Sequence, residues 1–348
     1  MNFTKIAFWS YYENFAKKNL IFNQPCDWNN KLFYKYQLLY KILLENNFLI
    51  LPLDTVDLKE VKVVIFYDIP KNIKKLLKKI NQYKNIKKIL IIEECKELRP
   101  SNWKLEIHKN FDTIFTWSNY HVLKNKKYKK IYLTNLNKNS EYFKKITYNK
   151  NKIILLNSNK KLCSNNELYS LRTKLIKYAM DNKINNFKLF GNDWNRKTFS
   201  MNKWYSFLNS KKFDKIFHSN KYKKVSNGRV KDKDKKMSQF DFAICFENVY
   251  GIPDYLTEKI TDAMTAGVIP IYYGCPNIYD YFPSNTFIDF RNFDSIENLF
   301  DCLLTMPVKK IFAYKKNIRS FLLSKKSYIY TGDHFAKEIK DEILLAKE

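Results

Sequence analysis

Between Phe242 and Gly274 the chain reads FAICFENVYGIPDYLTEKITDAMTAGVIPIYYG, and its polar residues fall in tight groups. Glu247 and Asn248 follow directly on the apolar run Phe242–Phe246. Such a run suits a strand buried on both faces of a parallel sheet. Ligands of open α/β sheets collect at the carboxyl ends of the strands, so both side chains are expected to face a ligand cleft. Gly251 and Pro253 mark a loop, after which Tyr255, Thr257, Glu258 and Lys259 lead into a helix. Thr257 is a good N-cap, and Ile260, Ala263 and Met264 supply the buried stripe. Lys259 therefore lies in a first turn, where free N–H groups and the helix dipole already favour an anion. Glu258 is a poor phosphate ligand but suits sugar hydroxyls, and Tyr255 offers an aromatic face and a hydroxyl. The set fits a ligand that is both phosphorylated and polyhydroxylated.

Short apolar, β-rich runs recur along the whole chain. Strands are expected at 5–10, 47–51, 62–68, 87–93, 112–117 and 129–134, with amphipathic helices at 32–46 and 70–86. In the second helix Ile73, Leu76, Leu77 and Ile80 share a face opposite the lysines. Strand and helix in alternation imply parallel sheets with helices on both faces. Residues 121–161 hold twelve lysines and one acid, Glu141, and read as a connector. A second alternation starts at 152–157, continues with a helix at 165–182 and a strand at 187–191, and closes with a strand at 286–290. The expected division is 1–150, 151–330 and a C-terminal helix over 331–348. All six glycines lie at or beyond Gly191, which excludes a dinucleotide fingerprint after the first strand.

The 348 residues suit two domains, and 45% hydrophobic content supplies their cores. A formal charge of +29 attracts anions: nucleic acid, acidic membrane or phosphorylated small molecules. Lysine, asparagine and isoleucine are abundant even on plain solvated faces, so part of this charge is compositional. Cys26, Cys95, Cys163, Cys245, Cys275 and Cys302 are scattered and form neither a zinc pattern nor a disulfide framework. The N-terminus lacks a signal-peptide pattern, and no run approaches 18 apolar residues. A cytoplasmic chain is expected, touching the inner membrane face through charge.

The stretch FENVYGIPDYLTEKITDAMTAGVIPIYYGCPNIYDYFPSNTFIDF resembles the C-terminal signature of the family 10 glycosyltransferases, the α-1,3/α-1,4-fucosyltransferases. Upstream, KLFGNDW (188–194) and NGRVKDK (227–233) are similar to two further family segments, and LIIEECKELRPSNW to bacterial members. The resemblance implies a GT-B type α/β fold, with two Rossmann-like domains whose parallel sheets face a cleft. It implies GDP-fucose as donor, an acceptor glycan bound by the N-terminal domain, inversion at the anomeric carbon, and no required metal or cofactor. An inverting transfer needs a carboxylate to take the acceptor proton and positive charge to stabilise the departing diphosphate.

By the motif match, Lys259 meets the diphosphate, Tyr255 and Glu258 the fucose and ribose, and Glu247 and Asn248 shape the nucleotide pocket. The family's basic residue before GRVKDK is best matched by Lys223, with Lys224 and Arg229 as neighbours; lysine lacks the planar fork of arginine. Asp241 stands where the family often has lysine, which is expected to weaken a phosphate contact. The base is expected just after KILII, ahead of Pro100. Alternation puts Glu93 on one strand face and Glu94 on the other. Glu94 fits the spacing to Arg99–Pro100 in bacterial relatives, with Glu93 and Glu97 as alternatives.

Asp232-Lys233-Asp234 is formally a D-x-D metal motif, but it sits among lysines and does not follow an apolar strand. The four histidines show no ligand spacing. Of the rival readings, another GDP-linked sugar keeps the fold. A nucleic-acid-binding protein would explain charge and aromatics but not the FEN and TEK groups. The reading is thus a fucosyltransferase acting on a GlcNAc-containing or lipid-linked glycan, as in lipopolysaccharide, other bacterial surface polysaccharide or protein glycosylation.

Overall fold

The computed structural model describes residues 3–17, 20–23 and 33–345; Cys26, Leu32 and the last three residues expected to be helical lie outside them. The chain divides into two compact units, residues 1–135 with 328–348, and residues 136–327. The Lys-rich stretch from Leu136 onward packs within the second unit. There Ser140 donates to the carbonyl of Thr265 (2.9 Å), and the N–H of Asn149 donates to Asp241 (2.9 Å).

The first unit is one parallel sheet built from β1 (Thr4–Ser10), β2 (Phe48–Pro52), β3 (Val61–Tyr67), β4 (Lys87–Ile91), β5 (Thr113–Thr116) and β6 (Tyr128–Lys130). Its strand order is β2-β1-β3-β4-β5-β6. The connecting helices are α1 (Glu13–Ala16), α2 (Leu20–Asn23), α3 (Tyr34–Glu45), α4 (Ile73–Ile80), α5 (Leu105–His108) and α6 (Asn119–Lys124). The central strands are buried on both faces, as Val63–Phe66 and Ile89–Ile91 show. α4 is shorter than the amphipathic pattern suggested, because only Ile73, Leu77 and Ile80 are buried along it. The order reverses between β1 and β3, so a crevice is expected where their carboxyl ends part.

The second unit repeats the design with β7 (Ile153–Leu156), β8 (Phe187–Phe190), β9 (Phe242–Phe246), β10 (Ile269–Tyr273) and β11 (Ile288–Asp289). These pair in parallel in the order β11-β10-β9-β7-β8. Its helices are α7 (Tyr169–Asp181), α8 (Lys233–Met237), α9 (Glu258–Thr265), α10 (Ile296–Thr305) and α11 (Val308–Leu323). Here the order reverses between β7 and β9, which puts the switch point at Asn157 and Glu247.

The last helix, α12 (Gly332–Leu344), returns to the first unit. Phe335 meets Tyr36 of α3 edge-on at 5.3 Å. Glu342 accepts from the Thr113 hydroxyl (2.6 Å) and pairs with Lys87 (2.6 Å) and Lys129. Among the described residues no helix is long and apolar enough to cross a membrane, and the five described cysteines are unpaired.

Candidate active site

Glu247 leaves β9 into the interior of the second unit and is fully buried. Its Oε1 accepts the Thr257 N–H (2.9 Å) and the Tyr272 hydroxyl (3.4 Å). Its Oε2 accepts the Thr257 hydroxyl (2.6 Å) and the Lys259 ammonium (3.3 Å). A buried carboxylate is tolerated only when its lone pairs are used and its charge is matched, and here both conditions hold. Glu247 thereby ties the end of β9 to the start of α9. Thr257 has the extended backbone of an N-cap, but its side chain makes no capping bond. The hydroxyl is spent on Glu247, which corrects the capping role expected from sequence.

Lys259 donates to Glu247 and to the Thr257 hydroxyl (2.9 Å), and its side chain keeps 17% of its surface exposed. An ammonium has three donors, so one N–H remains for an anion at the mouth of α9. Glu258, beside it, is half-buried, whereas Tyr255 is 2% exposed and lies within the loop. That loop is braced by Asp254, which accepts from Tyr281 (2.5 Å) and Asn277 (3.0 Å), while Asn277 accepts the Asp254 N–H (2.9 Å).

Gly274 at the end of β10 makes room for Glu247. A Cβ there would stand 2.5 Å from the Glu247 Cγ, and φ is +156°. Gly191 at the end of β8 has φ +134°, and a Cβ would come within 2.0 Å of the Asn157 carbonyl oxygen. At the carboxyl edge of the sheet, Gly191 lets two backbones pass closely, and Gly274 lets its backbone pass against the Glu247 side chain. The half-buried Asn248 accepts the Leu168 N–H through its carbonyl (3.0 Å). Beside it, the rings of Tyr250 and Tyr273 stack at 5.5 Å.

Arg172 of α7, which the sequence reading did not single out, fills the switch point. It is 2% exposed and donates to the carbonyls of Phe246 (2.6 Å) and Glu247 and to Asn157 Oδ1 (3.2 Å). Burial lowers its pKa, and Tyr169 and Glu247 oppose that. Its signal was present: Tyr169, Arg172, Leu175, Ile176 and Ala179 form the buried stripe of α7, with a cation at an apolar position.

The upstream basic residues are placed less tightly. Lys223 is exposed in a turn, and Arg229 is exposed just after Gly228, whose carbonyl accepts the Gly191 N–H (2.9 Å). The same segment ends in Lys233, which pairs with Asp262 of α9. Burial works against the Lys233 charge, but Asp262 and Glu258 hold its proton, and its pKa is raised. Asp241 does not lie at the site. It precedes β9 at the opposite end of the strand, pairs with Lys315 (2.8 Å), and accepts the N–H of Asn151 (3.0 Å). It replaces no phosphate contact, which corrects the expectation.

In the first unit the acids after β4 separate clearly. Glu93 is bound by Lys35 (2.6 Å), Tyr36 (2.8 Å) and Tyr67 (3.3 Å). Glu97 is half-buried and has one buried carboxylate oxygen without a hydrogen bond. Glu94 is half-buried in the turn and bears electrostatically on Tyr12, Asp68 and Arg99. Arg99 donates to the Tyr12 hydroxyl (3.1 Å) and lies 3.6 Å over the Tyr11 ring. Burial first, then Glu94, pushes the Tyr12 phenol up to about 12.

The turn itself is held by Asp68, fully buried at the end of β3 with φ 53°. One oxygen accepts the N–H groups of Glu93 (2.9 Å) and Glu94 (3.4 Å) and the Asn102 amide (2.7 Å). The other is buried without a hydrogen-bond partner. Among the described residues no three His, Cys, Asp or Glu side chains are grouped to hold a metal.

Residues 160–319 match the profile of glycosyltransferase family 10 (fucosyltransferase), C-terminal part. The chain carries a family 10 glycosyltransferase domain. A Helicobacter pylori alpha-(1,3)-fucosyltransferase is 38% identical over 96 residues, which are 27% of this chain and 20% of that protein. The chain therefore matches about a fifth of the length of that relative. A solved α1,3-fucosyltransferase superposes over 99% of this chain and 90% of its own, with TM-score 0.54 and 18% identity. An α-glucosyltransferase in complex with UDP-glucose and DNA containing an abasic site covers 99% of both chains, with TM-score 0.57 and 12% identity. Two parallel-sheet α/β units of this kind make a GT-B type fold. The family 10 domain contains Glu247, Thr257, Lys259, Arg172 and both close-approach glycines. Glu94 and Asp68 lie outside the matched residues.

Proposed function

We propose that the chain transfers L-fucose from GDP-fucose to a hydroxyl of a glycan, with inversion at the anomeric carbon. The observation that carries this is the bonded set Glu247, Thr257 and Lys259 at the carboxyl end of β9, within a family 10 domain. Lys259, fixed by two acceptors, presents positive charge to the diphosphate without reorganising, which is the form of stabilisation worth most in a transition state. Glu258 and Asn248 are assigned to sugar hydroxyls and the nucleotide. Lys223 and Arg229, both exposed, are assigned to the outer phosphate oxygens, and Tyr255 and Glu247 to shaping the pocket from within.

The acceptor oxygen attacks C1 as the bond from C1 to the β-phosphate oxygen breaks. GDP leaves with that electron pair, and the acceptor proton passes to a carboxylate. Glu94 is assigned that role from its spacing to Arg99–Pro100, as in the family's bacterial members, with Glu97 as the alternative; Glu93 is bound by Lys35, Tyr36 and Tyr67. A GlcNAc-containing or lipid-linked acceptor in α-1,3 or α-1,4 linkage, a place in surface polysaccharide synthesis, independence from added metal, and peripheral contact with anionic membrane belong to the same reading.

Calorimetric titration tests the donor assignment. GDP and GDP-fucose should bind the wild type in EDTA, and Lys259→Ala should weaken both at least tenfold. Preference for a different GDP-linked sugar would keep the site and change the donor. No binding of any guanine nucleotide would remove the reading.

A further inference from the structure

The long excursion between β8 and α8 contains an aromatic block that donor chemistry does not use. It folds on its own scaffold around Arg196, which is 4% exposed. That guanidinium donates to the carbonyls of Leu208 (2.8 Å) and Asn209 (3.2 Å) and pairs with Asp214. Asn209 closes the block by accepting from the Phe199 N–H (2.9 Å) and donating to the Phe199 carbonyl (2.9 Å). Phe199 meets Phe217 edge-on at 4.7 Å, and Phe213 lies 6.0 Å from Phe207.

What this block turns outward is strongly apolar. Trp204 is 84% exposed, Phe207 54% and Ile216 72%. Trp204 and Phe207 are three residues apart in the 3₁₀ helix Trp204–Asn209, so they lie on one face. Phe213 joins Phe207 to the turn that carries Ile216. Flanking this strip in sequence are five exposed lysines, Lys197, Lys203, Lys211, Lys212 and Lys215, against one acid, Asp214, which Arg196 already holds.

We infer that this face, centred on Trp204, Phe207 and Ile216, is a docking surface for an anionic lipid bilayer. A contiguous exposed apolar patch marks an interaction site. Trp beside lysine is what the headgroup region favours: the ring sits at headgroup level while the ammonium meets lipid phosphate. A protein partner fits less well, because lysine is depleted in protein interfaces. The inference deepens the membrane contact proposed above by naming the surface that makes it, and it does not depend on the donor being GDP-fucose.

The test uses the full chain without substrate, sedimented with vesicles of phosphatidylcholine alone or mixed with phosphatidylglycerol. Wild type should bind the mixed vesicles and not the neutral ones. Trp204→Ser with Phe207→Ser should bind at least tenfold more weakly. The single variant Trp204→Ser, at a water-exposed position that folding does not need, should also lose affinity. Each of Lys203→Gln, Lys211→Gln and Lys212→Gln should cost about fivefold. Four Lys→Gln changes at 309, 310, 325 and 326 should cost less than the Trp204 and Phe207 pair. GDP affinity should be unchanged in the Trp204 and Phe207 variants. Absence of wild-type binding, equal binding by the serine variants, or a larger loss from the 309–326 set would overturn the inference. So would an equal loss of RNA binding with no vesicle effect, which would make the face a nucleic-acid surface.

Discussion

Replacing Asp68 with asparagine should change the pH dependence of stability more than stability itself. Asp68 is fully buried, one oxygen taking three N–H donors and the other taking none. Burial, and then the negative charge of Glu94, push its carboxyl from 3.8 up to about 7. Below pH 4 the group is protonated in both folded and unfolded chains. Between 4 and 7 the folded chain keeps a proton that the unfolded chain has released, so stability falls as pH rises through that window. Above 7 both states are charged and the contribution is level. About three decades of proton affinity, at about 1.4 kcal/mol each, amount to roughly 4 kcal/mol. Asparagine keeps the acceptor oxygen and cannot ionise, so Asp68→Asn should lack this slope. Its amide leaves a buried donor unpaired, at about 1–3 kcal/mol. Urea denaturation from pH 4 to pH 8, followed by the signal of the first unit, gives both profiles. Their difference should change by roughly 4 kcal/mol across the window, with the variant gaining relative to wild type as pH rises. Parallel profiles, differing by a constant, would mean that Asp68 is not buried against its own charge.

Lys259→Ala should lower kcat/KM for the donor by about 10²–10³, the size expected for a preorganised charge in a transition state; initial-rate kinetics against donor concentration check it. Arg172→Leu leaves the carbonyls of Phe246 and Glu247 and the Asn157 amide oxygen without their donor. It should destabilise the second unit by about 3 kcal/mol, read as a shift in its denaturation midpoint. Gly274→Ala drives a methyl into the Glu247 side chain at a backbone angle that disfavours it. GDP affinity should fall at least tenfold, and an unchanged affinity would show that Glu247 does not organise the donor site.

The architecture was largely legible because parallel strands buried on both faces announce themselves as apolar runs. FAICF, KKILI and KVVIFY each became a strand within a residue or two of where the pattern put it. The placement of Glu247 and Asn248 at the carboxyl edge of the sheet was legible for the same reason, since they follow directly on a buried strand. The roles of the site residues were not. Glu247 looked like a ligand-facing acid and is an internal brace, because its partners Tyr272 and Thr257 come from a different strand and a different loop. Thr257 had the residue type and spacing of a cap, but a buried carboxylate competes better for its hydroxyl than the helix N–H groups do. Asp241 was read against a site it does not reach, since only the three-dimensional course of β9 shows which end of the strand it occupies. Arg172 required noticing a cation within an apolar stripe. Asp68 gave no local signal at all: its donors lie about twenty-five residues or more away in sequence.

The mass of the product decides whether fucose is transferred. Wild type and Glu94→Gln are incubated in EDTA with GDP-fucose and a β-galactosyl-GlcNAc acceptor, and the glycan is weighed as GDP release is followed. The acceptor should gain one fucose with the wild type, matched by released GDP. For Glu94→Gln, kcat should fall by about 10²–10⁴, with donor affinity retained. An acceptor of unchanged mass despite tight donor binding would contradict the proposed transfer to such glycans, and full activity in Glu94→Gln would contradict the assigned base.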